Sequence, residues 1–311
     1  MTRILAIGNY GRADHDALTK ELGATVLRDF AALDSLSEGA RGAIRAVAYK
    51  DHHAFDADVM ARLPGLELIA NFGVGYDAID IAAAQARGIA VTNTPGVLDD
   101  DVADLAVCMW IAACRQVMQA AAHVQSGGWR AGTALPLATK ASGRKLGIVG
   151  LGRIGQAVAT RLRAFGCEVH YTSRSRKPGA DLVWHQTVTD MAQAVDDLII
   201  TIVGGPETQG HVGADALAAL GQGYVVNVAR GSVVDEDALI AALEGGVIAG
   251  AALDVFAREP DADPRLIAMP NVLALPHIGS ATTQTRAAMG ALQRANIAAH
   301  LDGRALLTPV T

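Results

Sequence analysis

Gly150-Leu151-Gly152-Arg153-Ile154-Gly155 stands directly after Lys145-Leu146-Gly147-Ile148-Val149 and directly before Gln156-Ala157-Val158-Ala159-Thr160-Arg161-Leu162. The first flank is a short apolar run suited to a buried strand, and the second carries small and apolar residues at helical spacing. In a strand–turn–helix the three glycines have separate uses. Gly150 permits the tight turn, Gly152 lets the backbone approach a pyrophosphate, and Gly155 lets the helix lie close on the strand. The helix start, with Arg153 and Ile154 in it, offers N–H groups and positive potential to phosphates. These residues are the candidate dinucleotide loop; a tight turn without a ligand is the alternative.

The next strand, residues 168–172, decides which dinucleotide. A carboxylate at its end binds the ribose 2′-hydroxyl of NAD. Here the strand ends in Ser173-Arg174-Ser175-Arg176-Lys177, with no carboxylate. Ser173, Arg174 and Ser175 suit a 2′-phosphate, because guanidinium groups bind phosphate through charge-assisted bonds. NADP is therefore the expected cofactor and NAD the second choice. A solvated basic turn is the alternative.

Outward from this unit, short apolar runs alternate with helical patterns along the chain. Strands are expected at 3–7, 25–28, 46–49, 66–71 and 89–92, then at 145–149, 168–172, 198–202, 224–228, 249–254 and 272–274. Such alternation predicts α/β architecture with parallel sheets covered on both faces. One apolar helix, expected from residue 100 to about 123, interrupts the rhythm and should bury more than one face. A last helix, about 280–302, has no strand of its own in the second block. The expected domains are 1–98 plus 280–311, and 99–279.

Composition narrows the class. The chain has 311 residues, 51% of them hydrophobic, enough for a large core. The net charge of −6 argues against nucleic acid and anionic membranes as partners. Three cysteines, Cys108, Cys114 and Cys167, form no CxxC pair, so neither a disulfide framework nor a structural metal is expected. No uninterrupted apolar run is long enough to span a membrane, and the N-terminal stretch lacks signal-peptide features. A soluble, cytoplasmic protein is expected.

Three later segments carry candidate chemistry. Asn227-Val-Ala-Arg230-Gly-Ser232 ends a buried strand, the edge at which parallel sheets bind ligands. An arginine there calls for an anion, and a keto acid carboxylate is one. Asp254-Val-Phe-Ala-Arg-Glu259-Pro260 and Leu275-Pro276-His277-Ile-Gly279-Ser280 follow. Hydride delivery to a ketone leaves an alkoxide that needs a proton, and histidine is suited to give it. Glu259 beside His277 would hold its tautomer, and Arg230 would polarise the carbonyl. Each residue alone has an ordinary structural explanation; the trio has force only if folding joins it.

Through these and two further motifs, the chain resembles the D-isomer-specific 2-hydroxyacid dehydrogenase family over nearly its whole length. The markers are Asn71-Phe-Gly-Val-Gly-Tyr-Asp77, Thr92-Asn-Thr-Pro-Gly96, Gly150–Gly155, Asn227–Gly231, Asp254–Pro260 and Pro276–Thr282. The resemblance implies a discontinuous flavodoxin-like substrate domain, an inserted Rossmann-like cofactor domain, and an active site in the cleft between them. It implies a catalytic trio of Arg230, Glu259 and His277, and a substrate carboxylate held by N–H groups of Val74 and Gly75. It also places Asp254 and the carbonyl of Val228 or Ala229 at the nicotinamide carboxamide, with Gly279, Leu98 and Val102 beside them. Gly204, Gly205 and Pro206 would flank the adenosine. A homodimer through the 100–123 helix is implied.

Within the family, the Thr172-Ser173-Arg174 ending resembles the glyoxylate/hydroxypyruvate reductases and bacterial 2-ketogluconate reductases, which favour NADPH. The expected activity is hydride transfer from NADPH to glyoxylate, hydroxypyruvate or 2-ketogluconate, giving the D-2-hydroxy acid with His277 as proton donor. A dinucleotide-sensing binding protein or corepressor of the same fold is the other reading. Lys50, with His52 or His53, is a further candidate for the distal end of the substrate, against an ordinary solvated loop.

Overall fold

The computed structural model describes residues 3–310, and the chain divides into two compact units, Met1–Leu98 with Thr282–Thr311, and Asp99–Ala281. Met1, Thr2 and Thr311, at the ends of the expected first domain, lie outside the described residues.

In the first unit, β1 (Ile4–Gly8), β2 (Thr25–Leu27), β3 (Ala46–Lys50), β4 (Leu68–Asn71) and β5 (Ala90–Thr92) form a parallel sheet in the order β2-β1-β3-β4-β5. Every residue of β1 and β4 is buried, as strands covered on both faces must be. This is the flavodoxin-like order, and its direction reverses between β1 and β3, where such sheets open a ligand crevice. The helix Thr283–Leu301 packs on β3 and β4. Its Gln293 is 1% exposed and donates to the carbonyls of Tyr49 (3.3 Å) and Ala70 (2.7 Å). Phe30, Tyr49 and Phe55 stack and abut in the core on the other side.

In the second unit, β6 (Lys145–Val149), β7 (Glu168–Thr172), β8 (Val183–His185), β9 (Asp197–Ile200), β10 (Tyr224–Asn227), β11 (Gly250–Leu253) and β12 (Val272–Ala274) form a parallel sheet. Its order is β12-β11-β10-β9-β6-β7-β8, with the reversal between β6 and β9. One apolar cluster around Met191, Leu217 and Leu239 covers one part of the sheet; another, around Trp110, Val158 and Leu162, covers the rest. Asp197 is fully buried and ties the sheet to its cover. It accepts from Trp110 Nε1 (2.9 Å), Arg144 Nε (2.6 Å) and Nη2 (2.8 Å), and the Tyr224 N–H (2.9 Å).

Three sequence expectations change. The single helix at 100–123 is two helices, Asp99–Cys114 and Val117–Gln125, bent by 63°. The break falls at Gln116, whose φ is 51°, and the Cys114 carbonyl accepts instead from the Thr139 N–H at 2.9 Å. β8 was not expected; its three residues are partly exposed, and the apolar run that announces it, Leu182-Val183-Trp184, is only three residues long. The strands expected at 198–202 and 224–228 end at Ile200 and Asn227: the Thr201 and Val228 N–H groups make a last bond to the neighbouring strands, at 2.9 and 3.3 Å, and the chain then leaves the sheet into loops at its carboxyl edge. Among the described residues, no single helix is long and apolar enough to cross a membrane.

Candidate active site

The glycine loop follows β6, at the point where the strand order reverses. Gly150 has φ 97°, and a Cβ there would lie 2.8 Å from Ile202 Cα. A Cβ on Gly155 would lie 2.2 Å from the Gly150 carbonyl oxygen, so turn and helix meet backbone to backbone. At Gly152 a Cβ would meet nothing within 4 Å: the space faces the start of the helix Arg153–Ala164, which has no side-chain cap. Uncapped first-turn N–H groups beside open space are what a pyrophosphate requires, so the residues present fit a dinucleotide.

The end of β7 lies beside this loop, since the Gly150 N–H donates to the Thr172 carbonyl at 3.1 Å. Ser173 Oγ donates to the Ser175 carbonyl at 2.6 Å, and the Lys177 N–H donates to Tyr171 Oη at 2.9 Å. These bonds fold 173–177 into a tight turn that leaves Arg174 exposed and without an ion-pair partner among the described residues. Gly204, Gly205 and Pro206 follow β9, on the other side of the reversal, and Pro206 opens a short 3-10 turn.

Three loops at the same carboxyl edge carry the other candidates. After β10, Asn227 shapes the turn to Arg230: its Oδ1 accepts the Ala229 N–H at 3.0 Å, and its Nδ2 donates to the Arg230 carbonyl at 2.9 Å. Arg230 Nη1 donates to the Ala229 carbonyl at 2.8 Å. After β11, Glu259 Oε1 accepts the Phe256 N–H at 3.0 Å, and its Oε2 lies 2.7 Å from His277 Nδ1. The pair expected from sequence is therefore in contact. A carboxylate at Nδ1 assigns the proton there and leaves Nε2 as the second ring position.

His277 has φ 53°, a left-handed backbone that few non-glycine residues adopt. Asp254, 1% exposed, holds this turn. Its carbonyl accepts the His277 N–H at 2.9 Å, and its carboxylate accepts from Ile278 (2.7 Å) and Gly279 (2.8 Å). Burial pushes the Asp254 carboxyl up, while those two N–H groups oppose the shift. Val102 packs within 3.4 Å of where a Gly279 Cβ would stand. Asp254 thus sets the position of His277, a role that the motif's spacing does not show. Asp254 follows β11 and His277 the next strand, β12, so the contact depends on the pairing of those two strands.

In the first unit, the loop after β4 is braced by two amides. Asn71 Nδ2 donates to the carbonyls of Gly73 (3.2 Å) and Gly75 (2.8 Å), and Asn93 Nδ2 to that of Val74 (2.9 Å). The N–H groups of Val74 and Gly75 have no acceptor among the described residues. Lys50 closes β3 beside this loop, and the Phe72 N–H donates to the Tyr49 carbonyl at 2.8 Å. Asp51 Oδ1 accepts the His52 N–H (2.7 Å) and contacts His53 Nδ1 (2.8 Å), so the solvated-loop description suits His53. Leu98, 5% exposed, ends the first unit.

Two parallel α/β units, a dinucleotide loop at a strand-order reversal and a carboxylate–histidine pair define a nicotinamide-dependent dehydrogenase class. Comparison with known proteins makes the class specific. Residues 107–279 match the family model for the NAD binding domain of D-isomer specific 2-hydroxyacid dehydrogenases, and the chain belongs to that family. It is 42% identical to the hydroxyphenylpyruvate reductase of Plectranthus scutellarioides, over 91% of this chain and 88% of that protein. It is 40% identical to the 2-ketogluconate reductase of Gluconobacter oxydans, over 91% of each. Among solved structures, the NADPH-dependent glyoxylate/hydroxypyruvate reductase of Sinorhizobium meliloti, in complex with NADP and malonate, superposes with a TM-score of 0.94 at 40% identity, covering 99% of this chain and 96% of that one. Its relatives are thus reductases of 2-keto acids.

Proposed function

We propose that this protein reduces small 2-keto acids to D-2-hydroxy acids with NADPH, and that glyoxylate, hydroxypyruvate and 2-ketogluconate are within its range. The observation that carries this reading is the 2.7 Å contact of Glu259 with His277 on the same sheet edge as the glycine loop. Reduced nicotinamide, when bound, supplies the hydride. Val74 and Gly75 N–H groups and Arg230 hold the substrate carboxylate. Arg230 also polarises the keto oxygen. His277, steadied through Nδ1 by Glu259, gives that oxygen its proton from Nε2. Asp254 and the Val228 or Ala229 carbonyl bind the carboxamide of the cofactor. The relatives' names support the substrate class.

The preference for NADPH rests on Arg174, exposed beside the glycine loop, and on the lack of a carboxylate at Ser173. Loss of nicotinamide absorbance, followed with NADPH and NADH in parallel over a panel of keto acids, tests both parts. Turnover favouring NADPH is expected; cofactor binding without turnover of any keto acid sinks the reductase reading. Ser173→Asp should turn the preference toward NADH, changing the ratio of kcat/KM values by about 10- to 100-fold, the worth of one or two charge-assisted bonds. An unchanged ratio would remove this turn from the 2′-phosphate site.

We also infer a homodimer through the 100–123 region and the turn after it. The helix Val117–Gln125 buries no residue, and Met118 (54%), Val124 (55%) and Trp129 (73%) are exposed. Apolar surface of this kind calls for a partner, here a second copy. Sedimentation velocity should show a dimer for the native chain and a monomer for the Met118→Asp/Val124→Asp double variant. A native monomer at micromolar concentration would end this inference.

A further inference from the structure

We propose that Lys50, with Arg286 over the same aromatic ring, forms an anion subsite for the far end of the substrate, so that the preferred substrates are 2-keto acids bearing a second negatively charged group. The proposal rests on the reductase reading and names its substrate class.

The placement comes from topology. Lys50 is the last residue of β3, and Tyr10 follows β1; these two neighbouring strands flank the reversal of the first sheet, outside whose carboxyl ends ligands bind. Phe72 follows β4, one strand over, and opens the loop whose Val74 and Gly75 N–H groups face no acceptor. Three strand ends thus bring Tyr10, Lys50 and Phe72 together beside the candidate carboxylate loop.

The local chemistry is unusual for a lysine serving the fold. Its Nζ lies 4.6 Å from the centroid of the Phe72 ring and 5.4 Å from that of Tyr10. Both rings are buried, at 7% and 9% exposure, and form a floor under the ammonium. No carboxylate lies within ion-pair distance of Lys50 among the described residues. The acidic group that acts on it, Asp14, is engaged at 3.4 Å by Arg294. A second cation stands nearby, since Arg286 Cζ is 5.8 Å from the Phe72 centroid. Burial and Arg286 together hold the Lys50 amine below the usual lysine range.

Two cations against one ring repel each other, and half-burial costs the lysine hydration. The ring faces return only part of that loss. Such an arrangement without stabilising value to the fold marks a binding site. An anion offsets both costs at once. The substrate's first carboxylate has its own N–H donors at Val74 and Gly75, so the anion for Lys50 is a second group on the same molecule. Carboxylate and phosphate share the necessary chemistry.

The experiment compares kcat/KM for oxaloacetate (second carboxylate) and 3-phosphohydroxypyruvate (phosphate) with that for hydroxypyruvate (neutral hydroxyl). The native protein should favour at least one dianion, and which one identifies the group. Lys50→Met should lower the dianion-to-hydroxypyruvate ratio by about 10- to 100-fold, mainly through KM, as expected for loss of one charged hydrogen bond. Lys50→Arg should retain most of it. Because Lys50 is strained rather than structural, Lys50→Met should keep or raise Tm at neutral pH. The unfolded chain binds the extra proton in the window between the lowered value and the usual one, so native stability climbs with pH there. The variant's advantage should therefore shrink as pH rises through that window.

An unchanged ratio with turnover intact, or a sharp fall in Tm for Lys50→Met, overturns the subsite and leaves the reductase reading standing. If no keto acid is turned over, the reductase reading fails instead. Calorimetry with malonate and acetate on the NADPH-loaded protein then still reads the subsite: Lys50→Met should weaken malonate and not acetate, and equal binding of malonate by both proteins overturns it.

Discussion

Replacing His277 by alanine is expected to lower kcat by about 10²- to 10⁴-fold while NADPH still binds, the loss typical of a missing proton donor. His277 lies after β12 and the glycine loop after β6, so fluorescence titration with NADPH should give a nearly unchanged Kd. The left-handed backbone at His277, with φ 53°, complicates the alanine variant. His277→Asn is the cleaner test, because asparagine tolerates this conformation. It should show the same loss in kcat with Tm near native. Glu259→Gln keeps an acceptor beside Nδ1 but not the charge, so a smaller loss is expected. A His277→Asn protein that turned over keto acids at the native rate would remove His277 from the chemistry altogether.

The second large effect is on stability. Arg144→Met strands the Asp197 carboxylate, fully buried, with only Trp110 Nε1 and the Tyr224 N–H as donors. Removing one partner of a buried ion pair costs about 3–5 kcal/mol, because the other charge stays desolvated. In a unit of this size that is a fall in Tm of about 10 °C. The direction follows from geometry: Arg144 makes two of the four bonds to Asp197, at 2.6 and 2.8 Å. Adding Asp197→Asn to Arg144→Met should recover part of the loss, since an uncharged amide is cheaper to bury. Differential scanning calorimetry checks both variants. A decrease under 1 kcal/mol for Arg144→Met would mean that water reaches Asp197 once the arginine is gone.

Much of the architecture was legible because parallel sheets declare themselves locally. A strand buried on both faces must be largely apolar, and β9 and β10 are, apart from Asp197 and Asn227 at one end of each. Gly150, Gly152 and Gly155 were legible for a similar reason: each answers a steric demand within six residues of chain. The strand ends were less so: the Thr201 and Val228 N–H groups still donate to the neighbouring strands, at 2.9 and 3.3 Å, and Ile202 and Val228 resemble strand residues although the chain is already leaving the sheet. The helix break at Gln116 was not, because a residue with no turn preference is forced there by a bond from Thr139, 23 residues on. Arg230, Glu259 and His277 could be named from sequence as residues suited to the reaction. Their separation along the chain carries no distance.

Residue chemistry and short-range sterics, then, determined the α/β class, the cofactor loop, the absence of a carboxylate after β7 and the candidate trio. Tertiary structure decided what depends on long-range placement. It put Glu259 against His277, set Asp254 under the turn that holds the histidine, and buried Asp197 among donors from three distant segments. It also brought Lys50 over rings from two other strand ends. The physical reason is that electrostatic and hydrogen-bond energies fall steeply with distance, and distance between residues far apart in sequence exists only once the sheets have formed.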